Sequence, residues 1–445
     1  MHGYSGALFY QDLVMSRKVS PGQLVRTLRS AVAGIKTEEE FEGFLADVLR
    51  SYAGHTTDEM QAIANRLFTN RLAGQIYPQA WQLVRAHDAA GHTLVVASSA
   101  TSFQIEPAAR ELGIDNVLST PVELRDGVGT GRIAGRTLWG EGKAAAVADF
   151  AATHGVDLQR SYGYANGTED EAFLAEVGIP IALNPDKGLT RKATERNWPI
   201  LRLRPRGNAG PREVAHTVAG YAGMFTGGYT GAVRNILGGR RAMVDGMTRD
   251  AAELTLLGAG VRINVVGKKN AESPRPAVFI FNHQSEFDLI VVGHVLRGGF
   301  TGLVKKEMAT NPVFGPMLRF AGATFIDRQS EKAREKLGPV VDTLKSGTSV
   351  IVAPEGTRSL TPRLGQFKKG AFHIAMQAGV PIIPIVIRNA GEIYWRNARL
   401  IRQGTIDVAV LDPIDVSGWS LDNLDDEVER VRQLFADTML DWPKE

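Results

Sequence analysis

Apolar spacing divides the chain into stretches of different period. From residue 15 to 85 apolar positions recur at helical intervals, and Thr37 ahead of "EEEFEGFLADVLRSYAG" predicts a capped helix. At "HTLVVASSATSF" the pattern changes to a short buried strand, a polar turn and a helix, "IEPAARELGI". The alternation continues through "GKAAAVADFAATHG", "RSYGYANGTEDEAFLAEVG" and "IPIALNPD", which predicts an α/β domain with a mostly parallel sheet.

A break follows at "LRPRGNAGPRE", Leu203 to Glu213, where two prolines, two glycines and three arginines mark a boundary. Beyond it a second α/β pattern is carried by "AVFIFN", "TGLVKKEM", "ATFIDR", "TSVIVAPEGTRS", "PIIPIVI" and "IDVAVLD", and the chain closes on an amphipathic helix, "SLDNLDDEVERVRQLFADTML". The expected division is residues 1–204, a linker with a membrane-proximal helix over 205–250, and a second domain over 251–445.

The longest uncharged run, Val214 to Val233, holds five glycines and few large aliphatic residues, a poor membrane span. Val214, Val218, Tyr221, Phe225 and Tyr229 nonetheless recur at helical spacing, with Arg234, Arg240 and Arg241 after them. Two alternatives stand: a helix lying in a membrane interface, or one packed on the protein itself. No basic, apolar, small-residue progression opens the chain, so no signal peptide is expected.

Composition narrows the chemistry. Among 445 residues there is no cysteine, which excludes disulfides, thiolate metal sites and a cysteine nucleophile. The formal charge of +3 is unevenly spread: residues 206–411 carry 27 Lys and Arg against 15 Asp and Glu, whereas both flanks are net acidic. That block suits phosphates, coenzyme A or an anionic membrane surface, and no nucleic-acid partner is expected.

In "FIFNHQSEFDLIVV" a buried strand ends in a polar cluster where it should emerge at the sheet's carboxyl edge, the usual place for ligands in α/β folds. His283 is a natural general base, and Asp288 is placed to hold one tautomer of it. Further on, "IDRQ" exposes Arg328, and "VIVAPEGTRS" runs into Glu355, Gly356, Thr357, Arg358 and Ser359. Glycine permits close backbone approach, and Arg, Thr and Ser can hold a phosphate. "PIIPIVI" adds an apolar strand whose prolines, Pro384 among them, suit an edge or a lining wall.

In this order, residues 275 to 390 resemble the glycerolipid acyltransferases of the lysophosphatidate acyltransferase type. "NHQSEFD" is similar to the H-x4-D block, "KKEMATNPVFGPMLRFAGATFIDR" to the second, "PEGTRS" to the third and "IIPIVI" to the fourth. The resemblance implies transfer of an acyl group from acyl-CoA, or acyl carrier protein, to the free hydroxyl of 1-acylglycerol-3-phosphate, with no cofactor. His283 would take the hydroxyl proton and Asp288 would support it. Arg328, Glu355, Gly356, Thr357, Arg358, Ser359 and Pro384 would form the binding site. Another lysolipid or glycolipid acceptor is compatible with the same motifs, and a cytoplasmic chain peripheral to the membrane is expected.

Residues 15 to 202 resemble a haloacid dehalogenase-type phosphatase, close to phosphoserine phosphatase, with a helical cap on a Rossmann-like domain. "LVVASSATSF" is similar to the second motif, with Ser98 or Ser99 as phosphate contact, "GEGKAAAV" to the third, with Lys143, and "YGYANGTEDEAFLAEVG" to the metal-binding fourth. The first motif, D-x-D-x-T, does not occur, and Asn166 stands where a metal-binding aspartate is expected, although Asp170 remains. Either this domain has decayed into a scaffold or the chain starts late. Magnesium is expected only if it works. The alternative to acyl transfer is a phosphomonoesterase with a lipid-binding C-terminal half.

Overall fold

The computed structural model describes residues 9, 11–12, 35, 37–203, 210–305, 309–312, 314–326 and 338–444. The chain folds as two compact units, Met1–Gly207 and Asn208–Glu445, so the division falls inside the Pro, Gly and Arg segment singled out above.

In the first unit, helix α1 (Glu38–Arg50) starts where Thr37 Oγ1 accepts the Glu40 N–H while the Glu40 carboxylate accepts the Thr37 N–H. Reciprocal capping of this kind satisfies two otherwise orphaned donors. Helix α2 (Thr57–Leu67) is capped in the same way by Thr56 and Glu59. The apolar faces of both helices, Phe41, Leu45, Val48 and Leu49 on α1 and Met60, Ala64 and Leu67 on α2, are buried. Helix α3 (Pro78–Ala89) leads to strand β1 (Val95–Thr101), helix α4 (Ser102–Leu112) and strand β2 (Asn116–Thr120), parallel to β1. An antiparallel hairpin, β3 (Val122–Arg125) and β4 (Val128–Ile133), interrupts the expected alternation. Helix α5 (Glu141–His154) then precedes three parallel strands, β5 (Tyr162–Ala165), β6 (Ile179–Leu183) and β7 (Ile200–Leu201). Among the described residues β1 pairs only with β2, and β5 only with β6, so this unit's parallel strands form two sheets. Six of the seven β1 residues are accordingly only half-buried.

The second unit opens with a helical hairpin, α6 (Pro211–Arg234) and α7 (Gly239–Ala259). Its seam is backbone against backbone: a Cβ added at Gly223, Gly227 or Gly231 would collide with the carbonyl oxygen of Leu254, Asp250 or Gly246. With glycine in the seam, the larger side chains of α6 face outward. Val214, Val218, Tyr221, Phe225, Tyr229 and Val233 are all exposed, Phe225 by 52% and Tyr229 by 73%. Residues 211–250, expected as linker and membrane-proximal helix, thus belong to the body of this unit, and one α6 face is covered by α7. No described helix is long and apolar enough to cross a membrane.

The hairpin leads into strand β8 (Val261–Val266) and a seven-stranded sheet completed by β9 (Val278–Phe281), β10 (Phe300–Lys305), β11 (Thr324–Ile326), β12 (Ser349–Val352), β13 (Ile382–Arg388) and β14 (Gly404–Val410). The strand order is β11-β10-β12-β9-β13-β14-β8. The first five run parallel, while β14 is antiparallel to β13 and parallel to β8. β9 is central and wholly buried. Its alternate side chains feed two cores. Phe279 and Phe281 pack with Val291 and Val292 of helix α8 (Asp288–Leu296), and Val278 and Ile280 pack with Phe372 of helix α9 (Gly370–Ala378) and Phe435 of helix α10 (Leu424–Leu440).

Two expectations are corrected here. β8 was not foreseen, because an edge strand that exposes Arg262 and Asn264 lacks a continuous apolar run. The prolines of "PIIPIVI" suit an edge or a lining wall, and the edge is excluded because β13 is flanked on both sides. Pro384 is tolerated because β13 outruns β14 there: its carbonyl accepts the Leu411 N–H at 2.9 Å, one residue past the end of β14. Only one ladder bond is lost at that point.

Candidate active site

The carboxyl end of β9 hands the chain directly to the polar cluster. Asn282, fully buried, closes β9 onto β13: its Nδ2 donates to the Ile387 carbonyl at 2.8 Å and its Oδ1 accepts the Ile387 N–H at 2.7 Å. A side chain thus continues the ladder for one step and fixes where the next residue, His283, leaves the sheet.

His283 Nδ1 lies 2.8 Å from Asp288 Oδ2. The same oxygen accepts the N–H groups of Gln284 at 2.7 Å and Ser285 at 2.8 Å. Asp288 is fully buried at the start of α8, where the helix dipole favours negative charge. A carboxylate held by three donors keeps the imidazole proton on Nδ1, leaving Nε2 with a lone pair. Among the described residues Nε2 has no hydrogen-bond partner, and the His283 side chain is 21% exposed. Ser285 braces the turn, its Oγ donating to the Tyr394 carbonyl at 2.6 Å and accepting the Phe287 N–H at 3.0 Å.

The loop after β12 grips the backbone of His283. Glu355 Oε1 accepts the His283 N–H at 2.7 Å, and its Oε2 accepts the Gly365 N–H at 2.8 Å. Burial pushes the Glu355 carboxyl above its ordinary value, against the pull of those two N–H groups and of His283. Ser359 donates its N–H to the His283 carbonyl at 2.7 Å, with its hydroxyl 3.3 Å from the same oxygen. Gly356 turns between them at φ +73°, and a Cβ there would lie 3.0 Å from the end of the exposed Lys368 side chain. Thr357 is exposed, and Arg358 Nη1 donates to Glu286 Oε1 at 2.8 Å.

The structure therefore brings His283, Asp288, Glu355, Gly356, Arg358 and Ser359 into one turn-and-loop assembly. Pro384 is not part of it: it aligns with Ile280 in the buried body of the sheet, on the face packed by Phe372. Arg328 lies outside the described residues. Asn282 and Ser285 stood in the quoted motif without an assigned role. Tyr394 and Arg396 carried no sequence signal.

In the first unit Ser98 and Ser99 lie on β1. Ser98 Oγ accepts the Ala100 N–H at 3.2 Å, and the Ser99 carbonyl accepts the Thr120 hydroxyl at 2.8 Å. Lys143 and Asp170 form a buried ion pair. Asn166 is exposed and offers its backbone carbonyl to the Asp186 N–H at 2.9 Å. A magnesium ion does not fit this donor set: the remaining acid is committed to a lysine, its neighbour is a neutral amide, and no three His, Asp or Glu side chains converge among the described residues.

A His–Asp pair at the carboxyl edge of a largely parallel sheet, with a Gly-containing loop bracing it, defines an acyltransferase domain, and a haloacid dehalogenase-like domain precedes it. Residues 262–388 match the family model described as Acyltransferase, and residues 3–175 the one described as haloacid dehalogenase-like hydrolase. The 1-acyl-sn-glycerol-3-phosphate acyltransferase of Saccharomyces cerevisiae is 33% identical over 184 residues, 40% of this chain and 60% of the yeast protein. The human protein of that name, form alpha, is 35% identical over 39% of this chain and 62% of its own length. The one from Salmonella typhimurium is 31% identical over 42% of this chain and 76% of its own length. This chain spans about three fifths of the yeast and human relatives. It belongs to the 1-acyl-sn-glycerol-3-phosphate acyltransferase family.

Proposed function

We propose that the second unit transfers a fatty acyl group from acyl-CoA, or acyl carrier protein, to the free hydroxyl of 1-acylglycerol-3-phosphate, giving phosphatidate. The observation that carries this is the His283 ring, with Nδ1 bound to a buried carboxylate, no partner on Nε2 among the described residues, and the side chain 21% exposed. Nε2 takes the acceptor's hydroxyl proton as that oxygen attacks the thioester carbonyl carbon. The tetrahedral oxyanion collapses, the C–S bond breaks, and the imidazolium returns its proton to the departing thiolate. Asp288 stabilises the imidazolium that exists between those two transfers.

Glu355 and Ser359 act on His283 rather than on substrate: Glu355 Oε1, the Ser359 N–H and the Ser359 hydroxyl are engaged with its backbone, and Glu355 Oε2 with the Gly365 N–H. Thr357, Arg358 and the neighbouring Lys368 supply the donors and charge suited to the acceptor's phosphate, and Arg328 is a further candidate. The exposed apolar stripe of α6 suits the surface of an anionic bilayer, where an acylated acceptor resides.

The test is thiol release from palmitoyl-CoA on adding oleoyl-lysophosphatidate in vesicles, wild type beside His283→Ala, with the lipid product identified by mass spectrometry. Wild type should form phosphatidate and the variant should not. Absence of transfer by a folded wild type to this or any other lysolipid would remove the reading.

A further inference from the structure

Two guanidinium groups are clasped beside the catalytic turn. Arg396 Nη1 donates to the Arg358 carbonyl at 2.7 Å, and Arg358 Nη1 reaches back to the Arg396 carbonyl at 3.3 Å. Trp395 Nε1 adds a bond to the Leu360 carbonyl at 3.0 Å, so the loop after β13 is fastened along the loop after β12. Both arginines are linked to the catalytic turn through hydrogen bonds of near neighbours: Ser359, next to Arg358, holds the His283 carbonyl, and Tyr394, two residues before Arg396, is held by Ser285.

Holding two like charges together is unfavourable, and here little offsets it. Arg358 has one carboxylate partner, Glu286, whose side chain is 59% exposed. Among the described residues Arg396 has no carboxylate partner, and it is half-buried. Burial and the neighbouring Arg358 both push its guanidinium below the ordinary value. A guanidinium carries five N–H donors, and among the described residues that of Arg396 makes one hydrogen bond to protein. A phosphate dianion matches what is left over: it cancels the repulsion and accepts from both planar forks at once.

We propose that Arg396, outside the four sequence blocks, pairs with Arg358 to bind the phosphate of the acyl acceptor and so selects phosphorylated over uncharged acceptors. This rests on the proposed acyl transfer. The CoA phosphates offer the same chemistry, and the measurement separates the two sources. Steady-state kinetics are run on the full chain with palmitoyl-CoA and 1-oleoyl-lysophosphatidate for wild type, Arg396→Gln and Arg396→Lys.

The expected result for Arg396→Gln is an acceptor KM raised about 10-fold or more, the loss of a charge-assisted hydrogen bond, with palmitoyl-CoA KM and kcat within about two-fold of wild type. Arg396→Lys, which keeps the charge without the fork, should show a smaller rise of the same selectivity. An unchanged acceptor KM, a rise in palmitoyl-CoA KM instead, or a fall in kcat alone would each overturn the proposal. If Arg396→Gln does not fold, Arg396→Lys decides by the same criterion. Calorimetric binding of 1-oleoyl-lysophosphatidate to His283→Ala, with and without Arg396→Gln, keeps the two readings apart. Arg396-dependent binding with no turnover in wild type sinks acyl transfer alone, and Arg396-independent binding sinks this proposal alone.

Discussion

The carboxylate of Glu355 and the backbone N–H of His283 are 2.7 Å apart, and through that bond the loop after β12 sets the position of the residue that ends β9. Glu355→Gln keeps the shape but turns an amide NH2 toward one of the two N–H donors. It should cost about 1–3 kcal/mol in stability and lower kcat more than it raises either KM. Chemical denaturation and steady-state kinetics on one preparation check both.

The raised Glu355 carboxyl has a pH signature. Its folded form binds the proton more tightly than the unfolded chain does, from an ordinary value of 4.5. The stabilising contribution is therefore fully present below that value and is lost as pH rises through the folded one. Stability of wild type relative to Glu355→Gln should grow as pH falls through that window. Denaturation series at several pH values would contradict the assignment if the difference stayed flat.

Asp288→Asn should leave the fold in place and lower kcat by roughly 10⁴-fold, as expected when an imidazole loses the carboxylate that sets its tautomer. Because Asp288 also accepts from Gln284 and Ser285, the variant tests charge and turn geometry together. Asp288→Glu, with charge but different reach, recovering less than a tenth of the activity would assign the larger share to geometry.

Phe225 and Tyr229 are exposed on α6, so Phe225→Glu with Tyr229→Glu should change stability by no more than about 0.5 kcal/mol per site. If this stripe meets lipid, co-sedimentation with anionic vesicles should fall sharply, and activity on vesicle-borne acceptor should fall with it. Undiminished vesicle binding would assign the membrane contact elsewhere.

Lys143→Ala leaves the buried Asp170 carboxylate unpaired and should destabilise the first unit by about 3–5 kcal/mol. Lys143→Met with Asp170→Leu, which removes both charges, should recover most of that. Limited proteolysis across a denaturant series reads the difference.

Much of the second unit could be read from residue patterns. A four-residue strand buried on both faces is a continuous apolar run, so β9 stood out, and His283 and Asp288 followed it at once. β8 did not, because an edge strand is half solvated. The motif around Glu355 was visible, but the direction of its carboxylate depends on Gly365, ten residues on, whose amide closes the loop. Local chemistry suited Pro384 to an edge or a lining wall, whereas the early end of β14 makes an interior position tolerable. Arg396 is an ordinary loop arginine until the fold lays it along Arg358. In the first unit the cap at Thr37 was legible from one residue and its third neighbour. The β3–β4 hairpin was not, since its short strands carry little apolar periodicity.

The glycine seam between α6 and α7 separates two properties that most helix pairs must settle with the same residues. In an ordinary pair the large side chains both lock the helices together and use up the apolar area. Here Gly223, Gly227 and Gly231 bring the two main chains into contact, His216 and Arg234 add side-chain bonds to α7, and Val214, Val218, Phe225, Tyr229 and Val233 are left exposed for contact outside. Substitution at the exposed apolar positions can retune what the hairpin adheres to without loosening it, whereas a side chain at Gly223, Gly227 or Gly231 would drive the helices apart.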